Sequence, residues 1–215
     1  MGEYAKAQQT FYKDCQNGSL KNVKRTCKKF GINFRDHQFG RTGLMIAALH
    51  DQQQLIDYFL SQEANIRLTD NSGKTVLQMV LLGYDLEHFK VPRLKALYQQ
   101  FLTPHIKCVS HQRLHKISVK SMEYFLVNYV MAIRDEVISP DDPPALQGLR
   151  MDDFMDYIEW MPDTILPPYR RKRQYVNSIL SKNEIDRNDK YNRQLFKRKS
   201  RGCYNLFEEL EIVYE

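Results

Sequence analysis

Between positions 105 and 115 the chain gathers His105, Cys108, His111 and His115, three of its six histidines and one of its four cysteines. Imidazole nitrogen and thiolate sulfur are the usual ligands of zinc. Placed on a helix at roughly 100° per residue, Cys108, His111 and His115 project within about 60° of one another. His111 and His115, four residues apart, could then share one metal ion. A fourth, distant ligand and hydrogen-bonded outer groups would complete the site. The competing reading makes this segment an amphipathic helix with histidines chosen for packing. No cofactor is therefore expected, and Cys108, His111 and His115 are the metal candidates to be tested.

Other chemistry is sparser. Ser72-Gly73-Lys74-Thr75 resembles the end of a phosphate-binding loop, but the position five residues before Gly73 is Leu68 rather than glycine. Cys203 lies two residues from Arg201, which would favour its thiolate, although a strand residue facing a core is the simpler reading. There is no Gly-x-Ser-x-Gly, no Walker-type loop and no carboxylate pair in an apolar setting. No catalytic residue is assigned, and an enzyme is not expected.

The elements that would position these residues begin with an internal echo. Gly40, Thr42 and Leu44 recur as Gly73, Thr75 and Leu77, and Ile56 is preceded by Val23 at the same spacing of 33. A fixed period of this length, with a turn glycine and helical patterns inside each unit, marks a stacked repeat. In the clearest unit Gly40 supplies the turn, Thr42 caps a helix, and Leu44, Ala47 and Ala48 share one face. Leu55, Ile56, Phe59 and Leu60 form a second helix. The next unit carries Val80, Leu81, Leu86 and Phe89, and the preceding one Phe11, Cys15, Leu20 and Val23.

This pattern resembles the ankyrin-repeat family over about residues 4–102, as three degenerate repeats; a generic α-solenoid would share the period but not the turn signature. The resemblance implies a protein-binding surface at the turn tips and inner helices, here Gln38, Phe39, Arg41, Asn71, Ser72 and Lys74. Where the family shows Thr-Pro-Leu-His, this chain has Thr42-Gly43-Leu44-Met45 and Thr75-Val76-Leu77-Gln78. Loss of the proline and histidine is expected to weaken the stack.

At 215 residues and 42% hydrophobic, the chain is long enough for two modest domains, expected at 1–103 and 104–215. The polar N-terminus and scattered cysteines suit a soluble protein of a reducing compartment, cytoplasmic, or nuclear or nucleoid-associated if nucleic acid is bound. Lys6 stands where a myristoylation signal would have Ser or Thr. The net charge of +6 is unevenly spread. Residues 164–203 hold twelve Lys/Arg against three Asp/Glu, whereas 104–163 hold six against ten and 204–215 only four Glu. Concentrated positive charge is the pattern of a polyanion footprint. Lys21, Lys24, Arg25, Lys28 and Lys29 form a smaller basic run that also fits a solvated helix face.

In the second half, Thr103-Pro104 reads as a helix start and the following helix as a cap on the repeat stack. Met122, Phe125, Leu126, Tyr129 and Ile133 mark a helix over 118–137. After a proline-rich loop, Phe154, Met155, Ile158 and Met161 mark another over 152–161. Pro167-Pro168 precedes a third, over 169–183, with Val176, Ile179 and Leu180 inside. A basic hairpin and a strand containing Leu210, Ile212 and Tyr214 follow. The fold expected is mainly α: a helical-hairpin stack followed by a smaller α+β domain.

Three helices and a basic hairpin resemble a winged-helix domain. That resemblance assigns base contacts to Gln174, Asn177, Ser178 and Lys182, and phosphate contacts to Arg170, Arg171, Arg173, Lys197, Lys199 and Arg201. The alternative is that the basic helix pairs with the acidic one at 152–159. Two functions follow: an adaptor binding proteins through its repeats, or a DNA- or RNA-binding factor recruited by them.

Overall fold

The structure, a computed structural model, describes residues 2–88 and 90–213; Phe89 and Tyr214, assigned roles above, lie outside these. It divides into two compact units, Met1–Phe101 and Leu102–Glu215.

The first unit is three helical hairpins: α1 (Glu3–Gln16) with α2 (Leu20–Phe30), α3 (Gly43–Leu49) with α4 (Gln53–Ser61), and α5 (Val76–Asp85) with α6 (Val91–Gln100). The inner helices α1, α3 and α5 stack in order. Burial follows the repeat: Phe11, Cys15, Val23, Leu44, Ala47, Ala48, Leu55, Ile56, Phe59, Leu77, Val80 and Leu81 are all buried. Thr42 caps α3 by accepting the Met45 N–H at 3.3 Å. At the equivalent helix, Gln78 Oε1 accepts both the Thr75 N–H (2.5 Å) and its hydroxyl (2.8 Å). The glutamine thus restores a polar clamp that the missing family histidine was expected to remove.

Gly43 has a packing reason for replacing proline. A Cβ built there would stand 2.1 Å from Phe59 Cζ and 2.9 Å from Phe11 Cζ. Both rings are fully buried, so the absent side chain is what lets two repeats close on each other.

The second unit opens with a β-hairpin, β1 (His105–Ser110) and β2 (Arg113–Ser118). The helix expected after Pro104 is therefore corrected to two strands. Ile106, Cys108 and Ser110 alternate inward along β1, the two-residue period of a strand. His111 and Gln112, with φ of 46° and 62°, make the turn. β6 (Glu211–Val213) pairs with β1, giving a sheet ordered β2-β1-β6, and it falls where a last strand was expected.

Helix α7 (Met122–Val137) is capped by Ser121. Every residue from Tyr124 to Ile133 is buried. A helix apolar on all sides belongs in the middle of a core, and α7 touches β2, β3 (Leu149–Arg150), β5 (Cys203–Leu206) and α9 (Arg173–Lys182). Its neighbours include α8 (Met151–Ile158), whose Tyr157 ring lies 5.9 Å from the Tyr129 ring. A second sheet has the order β3-β5-β4, where β4 is Phe196–Ser200. The third helix starts later than expected because Pro168–Arg171 forms a 3-10 turn.

Gly43→Ala is expected to destabilise the first unit by about 1–3 kcal/mol, since an added methyl in a closed core forces its neighbours apart; urea unfolding of the variant and parent measures this.

Candidate functional site

Each repeat tip is built around an aspartate. Asp36 Oδ1 accepts the backbone N–H of Gln38 and Phe39, both at 2.8 Å, and Oδ2 accepts that of Arg41 at 2.7 Å. Thirty-four residues on, Asp70 Oδ1 accepts from Ser72 and Lys74, both at 2.9 Å. Side chains of this type stabilise turns by bonding to backbone a few residues ahead. Aspartate and turn glycine are four apart in the first tip (Asp36, Gly40) and three apart in the second (Asp70, Gly73). The first tip is thus one residue longer, which accommodates Phe39.

The tips are also joined to each other. The Asn71 N–H donates to the Phe39 carbonyl at 2.9 Å, and Arg35 Nη1 donates to the Gly40 and Thr69 carbonyls at 2.7 and 2.5 Å. Arg41 Nε reaches Asp70 Oδ2 at 3.4 Å, with both side chains largely out of solvent. Gly40 has a φ of 66°, and a Cβ there would stand 2.1 Å from Asn71 Oδ1. The positive φ favours glycine here, and any larger residue would also turn the Asn71 side chain aside.

These contacts sort the expected binding residues. Gln38, Asn71 and Ser72 are exposed. Phe39 is half-buried, with its ring 5.6 Å from Tyr12 and 4.4 Å from the Arg41 guanidinium. Arg41 and Lys74 were expected at the surface and are instead buried, 8% and 2% exposed. They hold the frame from within.

A row of rings missed by sequence reasoning crosses the three repeats beside the tips. The Tyr12 hydroxyl lies 3.0 Å from His50 Nε2, and the His50 and His88 rings stack at 4.6 Å. His88 Nδ1 faces the Leu49 carbonyl at 2.8 Å; a carbonyl only accepts, so Nδ1 carries the proton. Burial pushes the His50 imidazole down to about 4, aided by the charges of His88 and Arg41. The spacing of 38 between Tyr12 and His50, and between His50 and His88, was the available signal.

The zinc reading loses its geometry with the helix. Cys108 and His115 face each other across β1 and β2, but His111 sits in the turn and stacks on Phe207 at 4.8 Å. Burial pushes the Cys108 thiol up to about 12. Among the described residues no three His, Cys, Asp or Glu side chains converge on one point. Ser72-Gly73-Lys74-Thr75 is a turn leading into α5. Cys203 is buried in β5, and burial raises its thiol above the ordinary value.

In the second unit, Gln174, Asn177, Ser178 and Lys182 share the exposed face of α9. The expected phosphate contacts are mostly engaged within the chain. Arg173 pairs with Asp152, and Arg171 with Asp163 as well as the Leu166 and Glu159 carbonyls. Arg170 Nη1 donates to the Lys120 carbonyl at 2.6 Å. Lys197 and Lys199 both meet Glu208, at 3.5 and 2.5 Å. Arg201, at the hairpin turn, is exposed.

Residues 12–90 match the family model for ankyrin repeats, in three copies. The first unit is an ankyrin-repeat stack, a class of fold that presents protein-binding surfaces. A comparison with curated proteins finds no match. No helix among the described residues is long and apolar enough to cross a membrane.

Stability should respond to His50 in a defined direction. Its folded pKa lies below the unfolded 6.5, so between pH 6.5 and about 4 the unfolded chain binds the extra proton and stability falls as pH falls. His50→Gln is expected to flatten that part of the profile, measured by urea unfolding across the window.

Proposed function

We propose that this chain is an adaptor that binds a partner protein through its repeat tips, with the second unit supplying a further contact. The observation carrying this reading is the division of labour at the tips. Asp36, Arg41, Asp70 and Lys74 are buried and shape the backbone, while Gln38, Asn71 and Ser72 project to solvent. A surface whose geometry is set by internal bonds is pre-organised, which reduces the ordering cost of association. The half-buried Phe39, held between Tyr12 and Arg41, is a rigid aromatic anchor of the kind that dominates interface energies.

A Gln38→Arg/Ser72→Arg variant should keep the parent's melting temperature and lose proteins retained by the parent in affinity capture. The expected loss is about tenfold or more, as for central interface positions. Unchanged capture counts against the tips.

A second reading is nucleic-acid binding by the α7–β3–α8–α9–β4–β5 body, a winged-helix-like arrangement. It is supported by the exposed polar face of α9 at Gln174, Asn177, Ser178 and Lys182, next to Lys172, and by Arg201 at the hairpin turn. Against it stand the ion pairs of Arg171, Arg173, Lys197 and Lys199. Exposed pairs such as Arg173–Asp152 are individually weak, so phosphate could displace the carboxylate. Anisotropy titration of duplex DNA and single-stranded RNA at several salt concentrations tests this. Binding through this face requires affinity to fall steeply with salt and to be lost in Lys182→Glu/Arg201→Glu.

A further inference from the structure

We infer that the groove between α2 and α4, on the outer helices of the first two repeats, is a docking site for an acidic peptide segment of a partner protein. It is distinct from the turn tips. The groove has a volume of about 440 Å³ and is lined by Lys24, Cys27, Lys28, Ile32, Tyr58 and Gln62.

Its charge is one-sided. Helix α2 carries Lys21, Lys24, Arg25, Lys28 and Lys29, all exposed, and no acidic residue. Glu3 meets Lys29 alone, and Asp14 accepts from Asn22 at 2.9 Å. On α4, Asp57 accepts from Gln53 at 2.5 Å, and Glu63 follows Gln62 into solvent. Lys24 and Lys28, one helical turn apart, therefore stand over the groove without a carboxylate partner among the described residues. Lys28 lies in the last turn, where the helix dipole favours it, but that explains neither Lys24 nor the concavity.

The lining selects among anions. Between the lysines the groove is floored by Cys27 and Ile32, with Tyr58 on the α4 side. A flat bilayer cannot enter such a concavity. A nucleic-acid base would stack on an aromatic face, but the Lys24 ammonium already covers the Tyr58 ring at 5.2 Å. A peptide alternating carboxylates with aliphatic side chains matches both features: its carboxylates meet Lys24 and Lys28, and an aliphatic group reaches Ile32. Cys27 contributes surface rather than chemistry, since burial pushes its thiol up to about 11.

The test uses the full chain and a labelled peptide alternating Glu and Leu, read by fluorescence anisotropy, beside a Gln/Leu analogue, single-stranded RNA and anionic phosphatidylserine vesicles. The expected result is saturable binding of the Glu/Leu peptide, weakened about tenfold or more by Lys24→Glu/Lys28→Glu, about the scale of losing one strong contact. Lys24→Gln/Lys28→Gln should weaken it less. Lys21→Glu/Arg25→Glu, outside the groove, should leave most of the affinity. Melting curves show whether each variant keeps its fold. Equal loss in the Lys21/Arg25 variant, or equal binding of the Gln/Leu analogue, overturns the site. So does tighter, equally lysine-dependent binding of RNA or vesicles. Gln38→Arg/Ser72→Arg leaves this binding intact, so the tip and groove readings fail separately.

Discussion

The pairing of Arg41 with Asp70 is the constraint on which the recognition surface depends. The Asp70 carboxylate serves its own turn through one oxygen and the preceding repeat through the other. Neither residue has much access to water, so removing either partner would leave a charge stranded in a poor solvent. One interaction therefore fixes the shape of a tip and the offset between neighbouring tips. The Asn71–Phe39 backbone bond and the Arg35 contacts follow from that offset, and so does the fit of Asn71 against Gly40.

Helix packing answers to the same geometry. The inner helices come close because Gly43 leaves room for the Phe11 and Phe59 rings and because Ala47 and Ala48 are small. Thr42 and Gln78 satisfy backbone donors at helix starts that would otherwise be buried unpaired. The row Tyr12, His50 and His88 crosses the repeats beside this core, and burial keeps His50 neutral where solvent would let it charge. On the outer helices, Arg93 of α6 bonds Asp51 and Gln53 at the start of α4, and Lys24 of α2 covers the Tyr58 ring of α4, but none of these contacts gives α2 a carboxylate. They leave α2 with a set of cations that the first unit scarcely neutralises.

In the second unit electrostatics are shared differently. Arg171, Arg173, Lys197 and Lys199, which make residues 164–203 look strongly basic, lie against Asp163, Asp152 and Glu208. Arg193 meets Glu123 at 2.8 Å. Linear charge density thus overstates the field outside this unit. The cations still facing water are fewer: Lys172, Lys182 and Arg201 among them. The uncompensated charge on α2 is the more distinctive feature of the chain's surface.

The repeat was legible because periodicity records burial: Gly40 with Gly73, Thr42 with Thr75 and Val23 with Ile56 occupy equivalent places in successive hairpins. The buried stripes of α7, α8 and α9 could be read for the same reason. The segment 105–115 misled because Thr103-Pro104 and the i, i+4 histidines imitate a helix, while the alternation of Ile106, Cys108 and Ser110 shows its meaning only once β2 and β6 pair along the two edges of β1. Arg41 and Lys74 could not be placed from sequence, because a cation at a turn reads as solvated until the next repeat buries it. The sequence by itself determined where helices and turns recur, since that depends on local pattern. Tertiary structure alone decided which charges are exposed and which are paired, because partners such as Asp70 and Glu208 reach their cations only through the fold.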